Sequence, residues 1–588
     1  MLGPARVATH LTALALIALI AVAALNPLSY PIDDPDFFWH LKTGEWIWEH
    51  KSLPDKFLFS LTTPEELNDA RRFTMTSYWV VQIVYHLVHA TGGMTGIAAL
   101  RAILLLLVIF SLLLRREGKN HLVFLGTTLL VVLAARMYPF ERPQIFSFVY
   151  CSFLLLLLDL IRSAPSSSAA LRAAVVSLPL LMLLWANSHG SFVLGQGIVL
   201  LYLALEGVKI LRPAFGPLPE GRYRLLLAAG GSAVAAAFLN PNTWQPLFLT
   251  QLPQWAIVKN IEYFSSVDFF LMFRQPAVVV YWLLLGFAVL CLVLGGKPDI
   301  TRAALLVVTG VLAWRHVRHL FFFLVCAAPF VEGVLSRERF RRTAGAAFVV
   351  VALGAGLLLF RRDISGLRAV RHAAEVNALT LPVDAADFIE QAGIRGNLFN
   401  FSNWGGYLLW RLYPVKVFMD GRNSLESVDR ENALIETGAA LPALDGRPQW
   451  KALLARHGIR YVLLPIFNPV AGGVVPLTFA LLEDASWVPV WAGLNSVIFV
   501  ENGPDNALIV ARHAISRRLF LDRIIARVDD TIRAAPDYFP AQLALAELLT
   551  GAGRREEALR ACEGALLLAP GHPIAKKMLS RLKSAPRR

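Results

Sequence analysis

Apolar residues in this chain come in long runs. Residues 8–25, 103–114, 145–160, 193–205 and 277–294 are such runs, separated by short polar or Arg-rich breaks. A soluble helix pairs an apolar stripe with a polar face, whereas runs that are apolar all round and recur along the chain are read as bilayer crossings. About eleven spans are predicted on this basis, near residues 8–26, 95–114, 122–136, 144–161, 173–188, 191–209, 225–240, 276–295, 303–315, 319–334 and 344–360. Between the first two lies a long loop, residues 27–94. Its own apolar stretch, 78–90, is too short to cross and puts Trp79, Gln82 and His86 at helical spacing, which suits a helix lying among headgroups.

Beyond residue 360 the pattern changes. Short strand-like runs are predicted at 398–401, 415–419, 461–465, 488–491 and 496–500, with helical periodicity between them at 385–391 and 450–456. Residues 361–505 therefore read as an α/β domain. After that the chain is helical, and Ala535-Pro536-Asp537 recurs as Ala569-Pro570-Gly571 one tetratricopeptide period later. The predicted fold class is a polytopic α-helical membrane domain over 1–360, followed by the α/β domain and a tetratricopeptide-like helical segment over 506–588, which offers a surface for a protein partner.

Composition supports the membrane reading. A mean hydropathy of +0.54 with 17% charged residues over 588 positions excludes an ordinary soluble chain. Charge then orients it. The loops with Arg115 and Arg116, Arg162 and Arg172, Lys209, Arg212, Arg222 and Arg224, Lys297 and Arg302, and the Arg-rich stretch 337–342 all fall on one side, and are denser in Lys and Arg than the opposite loops. That side is cytoplasmic by the positive-inside rule, and eleven crossings from an inside N-terminus leave everything after residue 360 extracytoplasmic. Arg6 ahead of the first run, with Ala21, Ala23 and Ala24, also fits a cleaved signal sequence; a retained span is the favoured reading. The net charge of +14 is accounted for by cytoplasmic loops and anionic headgroups and implies no nucleic acid. Cys151, Cys291 and Cys326 lie in spans and Cys562 in the tail, too few for an extracytoplasmic disulfide framework.

Candidate chemistry gathers on the extracytoplasmic side. The first loop opens with Asp33, Asp34, Pro35, Asp36, Phe37, Phe38, Trp39, His40. Asp34 and Asp36 are candidates for a general base or for ligands of a divalent cation, Mg or Mn; the structural alternative is that Asp36 caps a helix and the tryptophans form an interfacial belt. Later breaks on the same face hold Arg136, Tyr138, Glu141, Arg142 and Pro143; Asn187, Ser188 and His189; Asn240, Pro241, Asn242 and Trp244; and Arg315, His316, Arg318 and His319. Arg142, Arg315 and Arg318 suit a phosphate or pyrophosphate, with snorkelling and helix-ending turns as the alternative. In the α/β domain, Asn403, Trp404, Gly405, Gly406 and Tyr407, and then Asp420, Gly421, Arg422 and Asn423, make two polar turns suited either to ligand contacts or to tight backbone paths.

These segments carry a resemblance. Residues 34–44, 142–146, 185–192, 315–323, 404–409 and 418–422 look like the recurrent segments of a bacterial multispanning group related to the mannosyltransferase-like GT-C glycosyltransferases. A more distant similarity is to the catalytic subunit of oligosaccharyltransferase, with Asn403 to Tyr407 standing where that family has Trp-Trp-Asp-Tyr-Gly; the motif Asp is missing. The His-Pro-Pro-Leu pattern of lipid A aminoarabinose transferases is absent around Tyr78.

The resemblance implies a multi-pass protein of the bacterial inner membrane that transfers a sugar from a polyprenyl-phosphate or pyrophosphate donor to a glycan, lipid or protein acceptor, with inversion at the anomeric carbon. Asp34 and Asp36 would be catalytic or metal-binding. His40, Arg142, His189, Arg315, His316, Arg318, Trp404, Asp420 and Arg422 would bind substrate. The alternatives are a surface-polysaccharide ligase or polymerase, and a non-catalytic assembly or transport protein that recruits partners through its repeats.

Overall fold

The computed structural model describes residues 4–28, 30–62, 69–135, 141–216, 218–246, 276–295, 299–367, 375–422, 426–438, 446–469 and 471–584. Arg136, Tyr138 and Asn423 lie outside them. The chain divides into two compact units, one of residues 1–34, 43–55 and 67–375, the other of 35–42, 56–66 and 376–588.

The first unit is helical. Among the described residues its longer helices are α1 (Pro4–Leu25), the second half of α2 (Pro35–His50), α3 (Asp69–Thr76), α4 (Trp79–Leu114), α5 (His121–Ala135), α6 (Gln144–Ser163), α7 (Ala169–Ala186), α8 (Phe192–Leu211) and α9 (Arg222–Ala236), then Pro276–Leu294, Ile300–Arg315, Leu320–Leu335 and Ala344–Leu367. Each predicted apolar run is thus a helix. Among the described residues six segments are long and apolar enough to cross a membrane: Arg6–Leu28, Arg72–Leu114, Gln144–Ser163, Ala169–Ala186, Phe192–Leu211 and Val317–Leu335. His121–Ala135, Val278–Leu294 and Ala344–Leu358 are shorter apolar helices.

Helix ends follow local chemistry. Ser168 caps α7 by accepting from the Leu171 N–H at 3.2 Å, and Asp299 caps Ile300–Arg315 by accepting from Thr301 at 3.1 Å. The helix Leu320–Leu335 is buried on all sides and packs on α5, on Pro276–Leu294 and on Ile300–Arg315, which places it at the centre of this unit. The predicted headgroup helix 78–90 is the first part of α4, which bends at Gly93, where φ is 57°. A positive φ is open to glycine at little cost, so the break falls where the sequence offers Gly92-Gly93.

At the far ends of α6 and α8 the charges are paired inside the protein. Lys209 Nζ lies 2.6 Å from both Glu206 and Asp299, Arg162 reaches the same two carboxylates at 3.4 and 3.3 Å, and the Thr301 hydroxyl donates to Glu206 at 2.8 Å. Mutual pairing is what permits charges this deep in an apolar bundle.

The second unit holds a four-stranded sheet in the order β1-β2-β4-β3. β1 (Asn397–Asn400) is parallel to β2 (Ile459–Pro465), while β4 (Ser496–Glu501) is antiparallel to β2 and to β3 (Trp487–Ala492). β2 and β4 are almost entirely buried apolar runs, as expected of the central strands. Four of the predicted strands are present. The fifth, 415–419, is not: its backbone meets the segment 59–61 in a single bridge between Ser60 and Val417, bounded by the bonds Val417 N–H to Phe59 and Leu61 N–H to Val417.

Helices Arg517–Ala534, Phe539–Gly551, Arg555–Leu568 and Pro573–Ser584 follow the sheet and share one apolar core with it, in which Phe399 and Phe499 join Phe520, Ile524, Leu543 and Leu548. Glu547 accepts from the Val474 N–H at 2.6 Å.

Candidate active site

Two groups of candidate residues stand out, one in each unit. In the helical unit the group surrounds the start of α6. Asp34 is 6% exposed and pairs with the Arg142 guanidinium. Beside it, Glu141 pairs with Arg101, which also donates to the Tyr30 carbonyl at 2.8 Å. Burial pushes the Glu141 carboxyl above the usual carboxylate range, with Arg101 pulling the other way. A guanidinium has donors enough for a carboxylate and a carbonyl together, so Arg101 fastens α4 to the loop ahead of α6 and to the segment before Asp34.

The same end of the bundle holds the α7–α8 turn. Asn187 accepts from the Trp79 indole at 2.9 Å and donates to the Leu183 and Leu239 carbonyls, both at 2.9 Å, hanging the start of α4 on this turn. His189 is buried, and its Nδ1 lies 3.1 Å from the Ser191 backbone nitrogen. Burial, reinforced by the Arg318 charge, pushes the His189 imidazole down to about 3, so it is neutral at physiological pH. Gln144 donates to the Arg318 carbonyl at 3.2 Å, joining the start of α6 to the segment 317–319. Arg315 is exposed at the last turn of its helix, and His316 lies 5.8 Å from His319, ring to ring.

In the second unit the group is built around residues 35–42. Asp36 sits in the first turn of α2 and accepts from the Trp39 indole at 3.3 Å; His40 is buried with its ring 3.5 Å from that of Trp39. Asp420 and Arg422 form a buried two-bond pair, both bonds 2.8 Å, and the Ser60 hydroxyl donates to Asp420 at 2.8 Å. Burial alone would raise the Asp420 carboxyl, but the Arg422 charge and these hydrogen bonds hold it below the usual carboxylate range. The Arg422 guanidinium lies over the rings of Trp39, Phe57 and Phe59. The Trp404 indole donates to the Thr380 carbonyl at 2.8 Å. Trp404, Asp420 and Arg422 are therefore engaged inside the protein.

The Gly405-Gly406 pair has a steric reason. A Cβ on Gly405 would lie 2.2 Å from the Met419 carbonyl oxygen, and one on Gly406 would lie 2.2 Å from that of Pro35. Alanine is the better helix former and would otherwise stabilise this short helix, Gly405–Arg411. Here the clash with backbone decides the sign. Gly405→Ala and Gly406→Ala are each expected to cost about 1–3 kcal/mol, read as a lower midpoint in thermal unfolding.

Sequence comparison is silent: no family profile and no curated protein matches the chain. Structure comparison is not. An oligosaccharyltransferase, AglB from Archaeoglobus fulgidus in complex with an inhibitory peptide and a dolichol-phosphate, superposes with a TM-score of 0.53 over 97% of this chain and 86% of its own, at 12% identity. The chain has the GT-C fold. ArnT from Cupriavidus metallidurans, bound to undecaprenyl phosphate, gives a TM-score of 0.50 over 86% of this chain and 99% of its own, at 15% identity. A GT-C fold agrees with a multi-pass membrane protein, as do the six long apolar helices.

Within this fold, Arg101 and the Ser147–Ser191 contact beside His189 went unnoticed in the sequence. Arg101 lies inside a predicted span, and a lone cation in an apolar run is itself a signal. The serines carry none.

Proposed function

We propose that the chain is a membrane glycosyltransferase that moves a sugar from a polyprenyl-phosphate or pyrophosphate donor to an extracytoplasmic acceptor. The observation that supports this most is the pairing of buried Asp34 with the partly exposed Arg142 at one end of a GT-C bundle, ahead of the helix whose Gln144 bonds the Arg318 carbonyl. A carboxylate next to cations suits both halves of the reaction. Asp34 would take the proton from the acceptor hydroxyl as its oxygen attacks the anomeric carbon. The bond from that carbon to the phosphate oxygen breaks with its electron pair moving to the phosphate. Arg142 and Arg318 would balance the charge that appears there, a stabilisation that grows as the bond breaks and so lowers the barrier.

Asp36 is read as a first-turn acid that favours the N-terminus of α2, not as its cap, and Trp404, Asp420 and Arg422 as the framework of their turns. Arg315 and His316 would meet the donor headgroup, and His40 would steady the first loop. Among the described residues no group of three or more His, Cys, Asp or Glu comes together; Mg or Mn can be held by one or two carboxylates and substrate phosphates, and Asp34 or Asp36 would supply such a carboxylate.

In the proposed topology, eleven crossings of a bacterial inner membrane put residues 361–588 outside. The α/β domain over 361–505 would present the acceptor, and the helices over 506–588, read as a tetratricopeptide-like segment, would bind a protein partner. A reporter active only in the cytoplasm, fused after Val500, is expected to be silent; activity there would remove the shared face. For the activity itself, a deletion strain is expected to accumulate one lipid-linked sugar that the parent consumes. Unchanged lipid-linked sugars and glycans would contradict the reading.

A further inference from the structure

The α7–α8 turn fixes which nitrogen of His189 carries the proton. The Ser191 backbone N–H points at Nδ1 from 3.1 Å, and an amide N–H can only donate. Nδ1 is therefore the acceptor, and the neutral ring keeps its hydrogen on Nε2. The ring is held from behind as well. Ser191 Oγ lies 2.8 Å from Nδ1 and 2.8 Å from Ser147 Oγ, which accepts from the Trp185 indole at 3.0 Å. Side chains from α6, α7 and the turn thus set one orientation. Nε2, by contrast, makes no hydrogen bond to any described residue, although the side chain is only 8% exposed.

A ring so fixed, with no partner for its Nε2–H among the described residues, presents a preoriented donor that a ligand can complete. The ligand must offer an acceptor, and an anion suits the neighbourhood of Arg318. We propose that His189, through Nε2–H, donates a hydrogen bond to a phosphate oxygen of the lipid carrier. This rests on the glycosyltransferase reading. A neutral donor holds the phosphate ester modestly and the leaving phosphate more tightly as its charge grows, so it favours the transition state without trapping the substrate.

Two isosteres separate the nitrogens. His189→Gln keeps an N–H near the place of Nε2, whereas His189→Asn keeps a polar group only near that of Nδ1. The full-length protein in nanodiscs is titrated with undecaprenyl phosphate and, in parallel, with inorganic phosphate, and thermal unfolding is recorded. Binding of the carrier is expected to stay within about 3-fold of the parent in the Gln variant and to weaken about 10-fold or more in the Asn variant, at unchanged thermal midpoints. If His189→Asn does not fold, His189→Met, which fills the volume without an N–H, carries the same expectation. Parental binding by the Asn or Met variant, or equal losses in both isosteres, would overturn the proposal. A loss seen only with inorganic phosphate would assign the group to a free anion and also overturn it. Failure of the parent protein to bind the carrier would bring down the glycosyltransferase reading too, whereas binding without a difference among variants removes only the role of His189.

Discussion

Asp34→Asn is expected to lower turnover on a polyprenyl-linked donor by about 10²-fold or more, the scale of losing a general base. Asn preserves the size of the side chain and can still accept from Arg142, so expression and thermal stability should change little. The comparison is Asp36→Asn. Asp36 occupies the first turn of α2 and accepts from the Trp39 indole; Asn keeps that acceptor and gives up only a favourable charge near the helix N-terminus, so that variant should be nearly silent. Loss of activity in Asp36→Asn with Asp34→Asn unaffected would exchange the two roles. Full activity in both would remove the first loop from the chemistry.

The second large effect is on stability. Arg101 and Glu141 are both almost fully buried and pair with each other. Removing one partner leaves an unbalanced charge in an apolar bundle, so Arg101→Met and Glu141→Leu alone are each expected to cost about 3–5 kcal/mol. The double variant replaces the pair with apolar volume and should recover most of that loss, though not the hydrogen bond from Arg101 to the Tyr30 carbonyl. Unfolding midpoints of the purified single and double variants, taken as a cycle, measure the coupling. Additive losses would mean that the two side chains act independently.

How much of this was legible in the sequence follows from what each signal depends on. The helices of the first unit lay where their apolar runs lay, because in a bilayer length and apolarity decide the matter locally. The strands β1, β2, β3 and β4 were equally plain, being short apolar runs between turn residues. The run at 415–419 has the same composition, yet its partner is the irregular segment 59–61, far away in sequence, and no local pattern reveals that. Pairings were the least legible. Asp34 and Arg142 were both singled out, but their union depends on how α6 packs. Asp420 and Arg422 looked like ligand contacts because they are polar and sit in a glycine turn, and they prove to satisfy each other. Lys209 reads in the sequence only as loop charge, since its burial against Glu206 and Asp299 cannot be seen without the helices that cover it.

The most direct test of the central claim is transfer itself. The purified full-length protein, reconstituted in liposomes with lipid-linked sugars extracted from a deletion strain, is assayed for release of the free polyprenyl phosphate or pyrophosphate. Time-dependent release by the parent protein, reduced about 10²-fold in Asp34→Asn, is the expected result. Release that never exceeds protein-free liposomes, from a protein shown to be folded, would contradict the claim.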